Sequence, residues 1–214
     1  LLNSSWDAES NSFSFVSVSG FPQSSEVLNP VKGQTTGSKV RILGDGSSTW
    51  LNSVTRYDKN YRAIQDIKEH QLGGTTRITV LYDFVGNVMK EQVYSSNASL
   101  TVQRRYVYDH AGRLSALYHQ TNAQPEVLLG SYKYNELGQL MDKSIHSTNG
   151  TTFLQSIDYR YNIKGWLTNI NNTGFNQGWS NDDTNDKFGM EIQYYVSSPA
   201  NVGSTGDQLQ QKSL

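Results

Sequence analysis

A five-residue phrase, Tyr-(Asp/Asn)-x-x-Gly, recurs at nearly constant spacing and constrains this 214-residue chain more than any other feature. Its four copies are separated by steps of 26, 26 and 27 residues, and a degenerate copy begins further upstream at Tyr57. A fixed period of this length is typical of repeat proteins, in which each unit covers the apolar face of its neighbour. The fixed positions of the four copies are Tyr82, Asp83 and Gly86, then Tyr108, Asp109 and Gly112, then Tyr134, Asn135 and Gly138, and finally Tyr161, Asn162 and Gly165.

The residues around each phrase alternate with a period of two, which is typical of a strand with one buried face. Inside the phrase, Asp or Asn can accept bonds from backbone N–H groups ahead of it, and Gly tolerates positive φ. The pattern therefore predicts a strand, a type I turn closed by a Gly bulge, and a second strand. The alternating pairs that flank the four phrases are Val80 and Val88, Tyr106 and Leu114, Tyr132 and Leu140, and Tyr159 and Leu167.

The period leaves room for two strands of about eight residues and a tight turn, but not for a crossover helix. We therefore predict an all-β fold, an antiparallel meander in which every repeat adds one hairpin to a strip. The phrases lie along one edge of the sheet, and variable loops at 95–98, 121–125 and 147–150 lie along the other. Tyr61 occupies the Gly position of the degenerate copy, where positive φ strains a bulky residue. We expect that turn to differ in type or length.

Composition divides the chain into four segments. Residues 1–56 form an N-terminal β segment that leads into the repeats, and residues 57–170 hold the repeats, with phrases at 57, 82, 108, 134 and 161. Residues 171–196 are predicted to form a polar loop and one further strand. Residues 197–214, rich in Ser, Gly and Gln, are predicted to be a disordered tail.

Alternation and turn residues locate the strands outside the repeats. A polar–apolar run predicts one strand at Ser12–Ser19, and the turn signal at Gly44–Ser48 predicts a strand on each side of it within residues 38–56. A final strand is predicted at Met190–Val196. Because the chain opens with Leu1 in the middle of a Ser/Asn-rich stretch, we expect it to be a piece of a longer polypeptide.

Composition and charge exclude several classes of protein. The net charge is −1 and the 18 basic residues are scattered, which argues against nucleic acid or a membrane surface as a partner. No apolar stretch approaches the ~20 residues that a membrane-spanning helix needs, so membrane insertion is not expected. The absence of Cys excludes disulfides and thiol chemistry.

The acidic and histidine residues carry little signal of catalysis or metal binding. A glycosidase needs two carboxyl groups that face each other, whereas Asp83 and Asp109 each have a role in a turn. The acidic run at 181–186 offers oxygen ligands for calcium but lacks the Gly and the distal Glu of a helix-loop-helix calcium site, so a solvated loop is favoured. We therefore predict no enzyme activity, no metal and no cofactor. The histidines, whose spacing matches no zinc motif, are His70, His110, His119 and His146.

The strand tyrosines Tyr106, Tyr132 and Tyr159 recur in register with the tyrosines of the phrases. We predict that these rings stack into a ladder that lines one sheet face or fills a core. An exposed ladder could instead bind sugars, and a glycan platform is the alternative interpretation.

The spelling YVYDHAGRL at Tyr106–Leu114 matches the YxYDxxGRL unit of RHS or YD-repeat proteins at every fixed position. The segments 37–41, 49–51, 70–75 and 159–167 also resemble RHS-repeat proteins of Bacteroidetes-type bacteria. The resemblance covers roughly residues 35 to 195. Asn135 and Asn162 replace the Asp of the family phrase, and Trp166 stands where the best copy has Arg113.

The resemblance implies a non-catalytic role. In RHS and related insecticidal-toxin proteins the repeat strip coils into a spiral shell that encloses a C-terminal cargo, usually a toxic enzyme domain. This chain would be a curved stretch of that wall in a secreted or cell-surface bacterial protein, with the remainder of its own polypeptide as partner. The leading alternative is a cell-surface adhesion or glycan-binding module, the use suggested by YD repeats in animal teneurins. A polysaccharide-degrading enzyme is a third and weaker interpretation.

Overall fold

A computed structural model describes residues 13–22, 32–43, 50–172 and 186–194, and these residues form an all-β protein. Twelve strands follow one another in chain order as an antiparallel meander, which confirms the predicted fold class. Within the described residues the meander is open, because β1 pairs with β2 alone and β12 pairs with β11 alone. The strands are β1 Gly37–Arg41, β2 Trp50–Tyr57, β3 Ala63–Glu69, β4 Thr75–Tyr82, β5 Val88–Ser95, β6 Leu100–Tyr108, β7 Leu114–Thr121, β8 Val127–Tyr134, β9 Leu140–Ser147, β10 Gln155–Tyr161, β11 Leu167–Ile170 and β12 Met190–Glu191.

Each phrase lies between the two strands of one hairpin. The phrase at Tyr82, for example, begins with the last residue of β4 and ends two residues before β5 begins at Val88. The variable loops connect one hairpin to the next, as between β5 and β6, where residues 96–99 link the strands. The hairpins are β2/β3, β4/β5, β6/β7, β8/β9 and β10/β11.

A β-bulge interrupts the predicted alternation at the same place in four hairpins. In β4/β5 the register shifts between Leu81 and Tyr82, because Leu81 pairs with Lys90 whereas Tyr82 pairs with Val88. Equivalent shifts occur in β2/β3, β8/β9 and β10/β11. The extra residue lies on the strand that follows the phrase, as Met89 does in β5. Since a bulge bends its own strand and increases the local twist, the second strand of the hairpin bends just after the turn.

The chain divides into two compact units, residues 1–107 with 118–126 and residues 108–117 with 127–214. In the first unit, Phe13 packs with Val54 and Ile67 as a small buried core. Phe21 is also buried, and the Lys90 ammonium lies 5.1 Å from the centre of its ring. Residues 13–22 therefore lie against one face of the sheet.

The predicted strand at Ser12–Ser19 is wrong over its described part, because residues 13–18 form no strand. The Val16 N–H donates to Gln65 Oε1 at 3.0 Å, and Gln65 Nε2 donates to the Val16 carbonyl at 2.9 Å. Arg56 Nη2 donates to the Phe13 carbonyl at 3.2 Å. Side chains of the sheet thus satisfy backbone groups that a neighbouring strand would otherwise satisfy.

The second unit buries polar side chains on its sheet. Asp142 Oδ1 accepts hydrogen bonds from Ser144 Oγ at 3.1 Å and from Ser156 Oγ at 2.8 Å, and Lys133 Nζ lies 2.7 Å from Asp142 Oδ2. Each buried oxygen of this carboxylate therefore has a partner, as burial of a charge requires. Asp158, the cross-strand partner of Asp142, is buried as well.

Several predictions concern residues outside the described ranges. The turn at Gly44–Ser48, the acidic run except Asp186, and the tail at 197–214 all lie there. The predicted strand at Met190–Val196 is described only to residue 194, where β12 covers Met190–Glu191. β1 and β2 lie on the two sides of the predicted turn.

We predict that Gln65→Leu will release residues 13–22 from the sheet, because it removes both bonds to Val16. The Val16 N–H and carbonyl would lose their partner, and so would Thr79 Oγ1, which lies 3.1 Å from Gln65 Nε2. Loss of these bonds should lower the free energy of unfolding by about 2–3 kcal/mol. Urea denaturation measures the loss, and hydrogen exchange measures protection of the Val16 amide. Gln92→Leu is the matched control, since the Gln92 amide oxygen bonds Gln103. Unchanged protection of Val16 in Gln65→Leu would contradict the role of Gln65.

Candidate functional site at the turn edge

All five turns have the same backbone hydrogen bonds. In the turn at Asp109, the Asp109 N–H donates to the Arg113 carbonyl at 2.8 Å and the Gly112 N–H donates to the Asp109 carbonyl at 3.0 Å. Gly112 has a φ of 76°, in the left-handed region. These features are those of a hairpin loop closed by a Gly bulge. The equivalent pairs of bonds begin at Asp58, Asp83, Asn135 and Asn162.

The Asp or Asn side chain fixes each turn from inside. Its Oδ1 accepts the backbone N–H of the residue that follows the phrase, at 2.9 Å for Arg113 and 3.0 Å for Trp166. Because Asn162 supplies the same oxygen as Asp109, Asn can replace Asp in the phrase without loss of this bond. We call the residues after the phrase the post-turn residues, and they are Arg62, Asn87, Arg113, Gln139 and Trp166.

Two turn carboxylates have lowered pKa values. Hydrogen bonds from the side chain and backbone of Asn87 lower the pKa of Asp83, the side-chain bond having the larger effect. The backbone N–H of Arg113, followed by its guanidinium, lowers the pKa of Asp109. Both carboxylates are therefore held in the charged form by their own turns.

The turn that contains Tyr61 does not differ in type, and the expectation that it would is wrong. Tyr61 has a φ of 61°, and its N–H donates to the Asp58 carbonyl at 3.0 Å, as the glycine does in the other turns. Asp58 is buried, and its carboxylate accepts bonds from the Asn60 N–H and from Arg62 Nε at 2.8 and 2.7 Å. These bonds hold the turn although a non-Gly residue is strained there.

The hydroxyl groups of the phrase tyrosines link neighbouring hairpins. Tyr134 Oη donates to the Leu114 carbonyl at 2.9 Å, and Tyr161 Oη donates to the Leu140 carbonyl at 3.0 Å. In the first unit, Tyr82 Oη donates to the Ala63 carbonyl at 3.0 Å. Each acceptor lies two residues after the turn glycine, or its equivalent, in the preceding hairpin. Each link therefore joins one repeat to the preceding one at the equivalent position.

The post-turn residues add a second link in the opposite direction. Arg113 Nε lies 2.7 Å from Asp109 Oδ2, while Nη1 donates to the carbonyl of Asn135 in the next turn at 3.3 Å. The same guanidinium lies 4.6 Å from the centre of the Tyr134 ring. Arg113 thus joins the carboxylate of its own turn to the ring and backbone of the following phrase. The forked N–H groups of a guanidinium can make the hydrogen bonds while its planar face lies over the ring.

Other post-turn residues make parts of the same link. Arg62 bonds the Asp83 carbonyl at 2.8 Å and lies 4.9 Å from the centre of the Tyr82 ring. Gln139 Nε2 donates to the Gly165 carbonyl at 3.3 Å. The shorter Asn87 bonds its own turn through Asp83 Oδ2 at 2.9 Å.

Sequence analysis missed two further members of the linked series. Tyr194 Oη donates to the Leu167 carbonyl at 2.9 Å, and its ring centre lies 4.9 Å from that of Trp166. Trp166 therefore takes the place that Arg113 holds against Tyr134. At the other end, Tyr57 Oη donates to the carbonyl of Thr35 at 2.8 Å. Neither copy has a recognisable phrase, although Gly33, two residues before Thr35, also has positive φ.

The strand tyrosines are half-buried and lie opposite other residue types. Tyr132 pairs with Lys143, and Tyr159 pairs with Ile170. Tyr106 Oη lies 3.4 Å from a carboxylate oxygen of Glu91. The predicted ladder of Tyr106, Tyr132 and Tyr159 would join alternate strands, so direct pairing does not test it and it stays a prediction.

The remaining candidate residues are the acidic residues and histidines of the described ranges. No group of three or more His, Asp or Glu residues among the described residues could hold a metal ion. His70 Nε2, in the loop after β3, lies 2.5 Å from the hydroxyl of Thr76, and His119 Nε2 lies 3.0 Å from the hydroxyl of Thr121 in its own strand. Within the same ranges, no helix is long and apolar enough to cross a membrane.

No protein-family model matches this chain, and no curated protein matches it.

We predict that Gly112→Val will lower the free energy of unfolding by about 1–3 kcal/mol, because Val is strained at positive φ. A Cβ at Gly112 would meet no atom within 4 Å, so the loss measures backbone strain alone. Tyr61→Gly is the converse test, because it relieves the strain of a non-Gly residue at positive φ. Stability should rise by up to about 1 kcal/mol, since the added Gly also increases the conformational entropy of the unfolded chain and offsets part of the gain. Thermal unfolding measures both variants. Equal stability of both variants and wild type would reject the turn assignment. Gly138→Val and Gly165→Val extend the test to turns where the added Cβ would lie 3.5 Å from Arg113 Nη1 and 3.2 Å from Gln139 Nε2.

We predict that acid will weaken the turns at Asp83 and Asp109 before the turns at Asn135 and Asn162. Because the folded pKa values of Asp83 and Asp109 lie below the ordinary 3.8, their contribution is complete above that value and is lost as the pH falls through the folded values. Asp109→Asn should lower stability at neutral pH by removing the bond to Arg113, and should make the fall in acid shallower. Denaturant titrations at several pH values measure this difference. A parallel acid profile in the two proteins would contradict the role of Asp109.

Proposed function

We propose that this chain is a non-catalytic structural segment of a secreted or surface RHS-type bacterial protein. In this proposal the sheet is a stretch of a β-shell that encapsulates a C-terminal toxin or effector domain. The observation that carries the proposal is what the phrase and post-turn residues bind. Their hydroxyl, carboxylate and guanidinium groups bond the same turn or a neighbouring hairpin, as in Tyr134, Asp109 and Arg113.

The open meander supports a role as part of a larger sheet. β1 and β12 each have one strand partner among the described residues, and an open edge can accept a strand from further polypeptide. The links at Tyr57 and Tyr194 continue the series to both ends of the described sheet. We therefore propose that the partner of this segment is the remainder of its own parent polypeptide, both shell and cargo.

The polar sheet faces support enclosure rather than a solid hydrophobic core. Gln65 and Thr79 in the first unit, and Asp142 and Ser156 in the second, are buried and carry polar groups. A wall around another polypeptide can bind polar backbone groups with such side chains, as Gln65 binds Val16.

The parent protein provides the direct test. Its C-terminal domain should resist protease as long as the wall is folded, and a Gly112→Val, Gly138→Val double variant should make it accessible because two turns are strained. Gly33→Ala is a control, because no atom lies within 4 Å of the added Cβ. It places one Ala at positive φ before β1, outside the turns between the paired strands, and should leave the C-terminal domain protected. Ready cleavage of the C-terminal domain in the native parent would reject encapsulation.

Adhesion or glycan binding is the second candidate function, and one observation favours it. Trp166 and Tyr194 form a ring pair whose residues are 39% and 45% exposed. Aromatic rings at a surface can stack on sugars. A glycan array with the 214-residue chain and its Trp166→Leu variant decides the point. Hits abolished by Trp166→Leu at unchanged stability would favour adhesion, and an array without hits would favour the wall.

A further inference from the structure

The loop between β9 and β10 carries the only Asn-Gly pair in the chain, Asn149-Gly150. Both residues are exposed, and Gly150 has a φ of 76°. Asn-Gly is chemically labile because the backbone nitrogen of an unhindered glycine can attack the preceding side-chain amide. The side-chain carbonyl carbon and the next backbone nitrogen are then joined in a five-membered succinimide ring.

One hydroxyl group contacts both reacting groups. Ser147 Oγ accepts the Gly150 N–H at 2.9 Å, and the same hydroxyl donates to Asn149 Oδ1 at 3.0 Å. Ser147 is 2% exposed, so its position is fixed by the sheet. The attacking nitrogen and the attacked carbonyl are therefore held to one anchored side chain.

Backbone groups fix the side-chain amide further. Asn149 Oδ1 accepts the N–H groups of Thr151 and Thr152 at 3.0 and 2.8 Å, and Asn149 Nδ2 lies 3.2 Å from Thr152 Oγ1. Ring closure requires the Asn149 side chain to rotate its carbonyl carbon toward the Gly150 nitrogen. The side chain must break these bonds, and the Gly150 nitrogen must lose the proton that it donates to Ser147 Oγ.

We propose that Asn149 is a deamidation site of this chain and that Ser147 slows the reaction in the folded protein. The Gly150 nitrogen loses its proton and forms a bond to Asn149 Cγ, and the Cγ–Nδ2 bond breaks, with ammonia as the leaving group. Water then opens the succinimide to aspartate or isoaspartate, and no other reactant is needed. The product adds one negative charge to the loop and loses the Nδ2 donor to Thr152.

The product would also change how the loop is held. Isoaspartate inserts one methylene into the backbone, so the oxygen that now accepts two backbone N–H groups is displaced. The loop that joins β9 to β10 would then lose its central acceptor. Deamidation of Asn149 is therefore a slow covalent change that loosens one return loop of the meander.

Peptide mapping by mass spectrometry tests the proposal on the whole chain, incubated folded at mildly alkaline pH. Conversion of Asn149 should be slow in the wild type and about five- to 25-fold faster in Ser147→Ala, the range that corresponds to loss of one or both of the hydrogen bonds that the Ser147 hydroxyl makes. Ser147→Thr retains the hydroxyl and should remain close to wild type. In denaturant, wild type and Ser147→Ala should convert at the same, faster rate.

Thr152→Ala is the matched control, because it removes the contact with Asn149 Nδ2 but leaves Gly150 bonded to Ser147. A clearly smaller acceleration in Thr152→Ala than in Ser147→Ala supports a specific role of Ser147, since Thr152→Ala removes only one of the bonds that ring closure must break. Equal rates in folded wild type and Ser147→Ala would overturn the proposal. Equal acceleration in Ser147→Ala and Thr152→Ala would also overturn it, since general loosening of the loop would then account for the change.

Discussion

The hydrogen bond from a phrase tyrosine to a carbonyl of the preceding hairpin is the interaction on which the regularity of this sheet depends. The Tyr161 hydroxyl bonds the Leu140 carbonyl at the end of β10, where a bulge beside Leu167 shifts the register. The bulge, the turn and the tyrosine thus occur together in this hairpin. A strand that slipped by one residue would lose the hydroxyl bond as well as its backbone pairing. Since backbone pairing alone specifies the register weakly, the tyrosine bond helps to fix it.

Much of the fold could be predicted from the sequence, because the phrase encodes local geometry. Asp109 and Gly112 specify a turn through contacts with residues at most four positions away, and the period alone excludes a crossover helix. The links between hairpins could not be predicted in the same way. Arg113 contacts Asn135 and Tyr134 more than 20 residues later, and only the strand order brings these groups together.

The incorrect strand at Ser12–Ser19 shows where pattern reasoning fails. Alternation indicates that a segment is extended with one face buried, but it does not identify what satisfies the backbone. Here one buried amide, that of Gln65, offers a donor and an acceptor to Val16 and so substitutes for a peptide group of a neighbouring strand. Nothing in the local sequence around Val16 indicates a partner 49 residues away.

The degenerate copies explain why a phrase can lose its fixed residues and keep its place in the sheet. Tyr61 retains a left-handed backbone because Asp58 and Arg62 bind each other and Arg62 also binds the next turn. Trp166 replaces the guanidinium with a ring and still contacts the following tyrosine, Tyr194. Each phrase is thus held by its own turn bonds and by links to its neighbours, so loss of one contact leaves the others to fix the geometry. Such overlap lets sequence diverge between repeats while the hydrogen-bonding pattern of the edge stays constant.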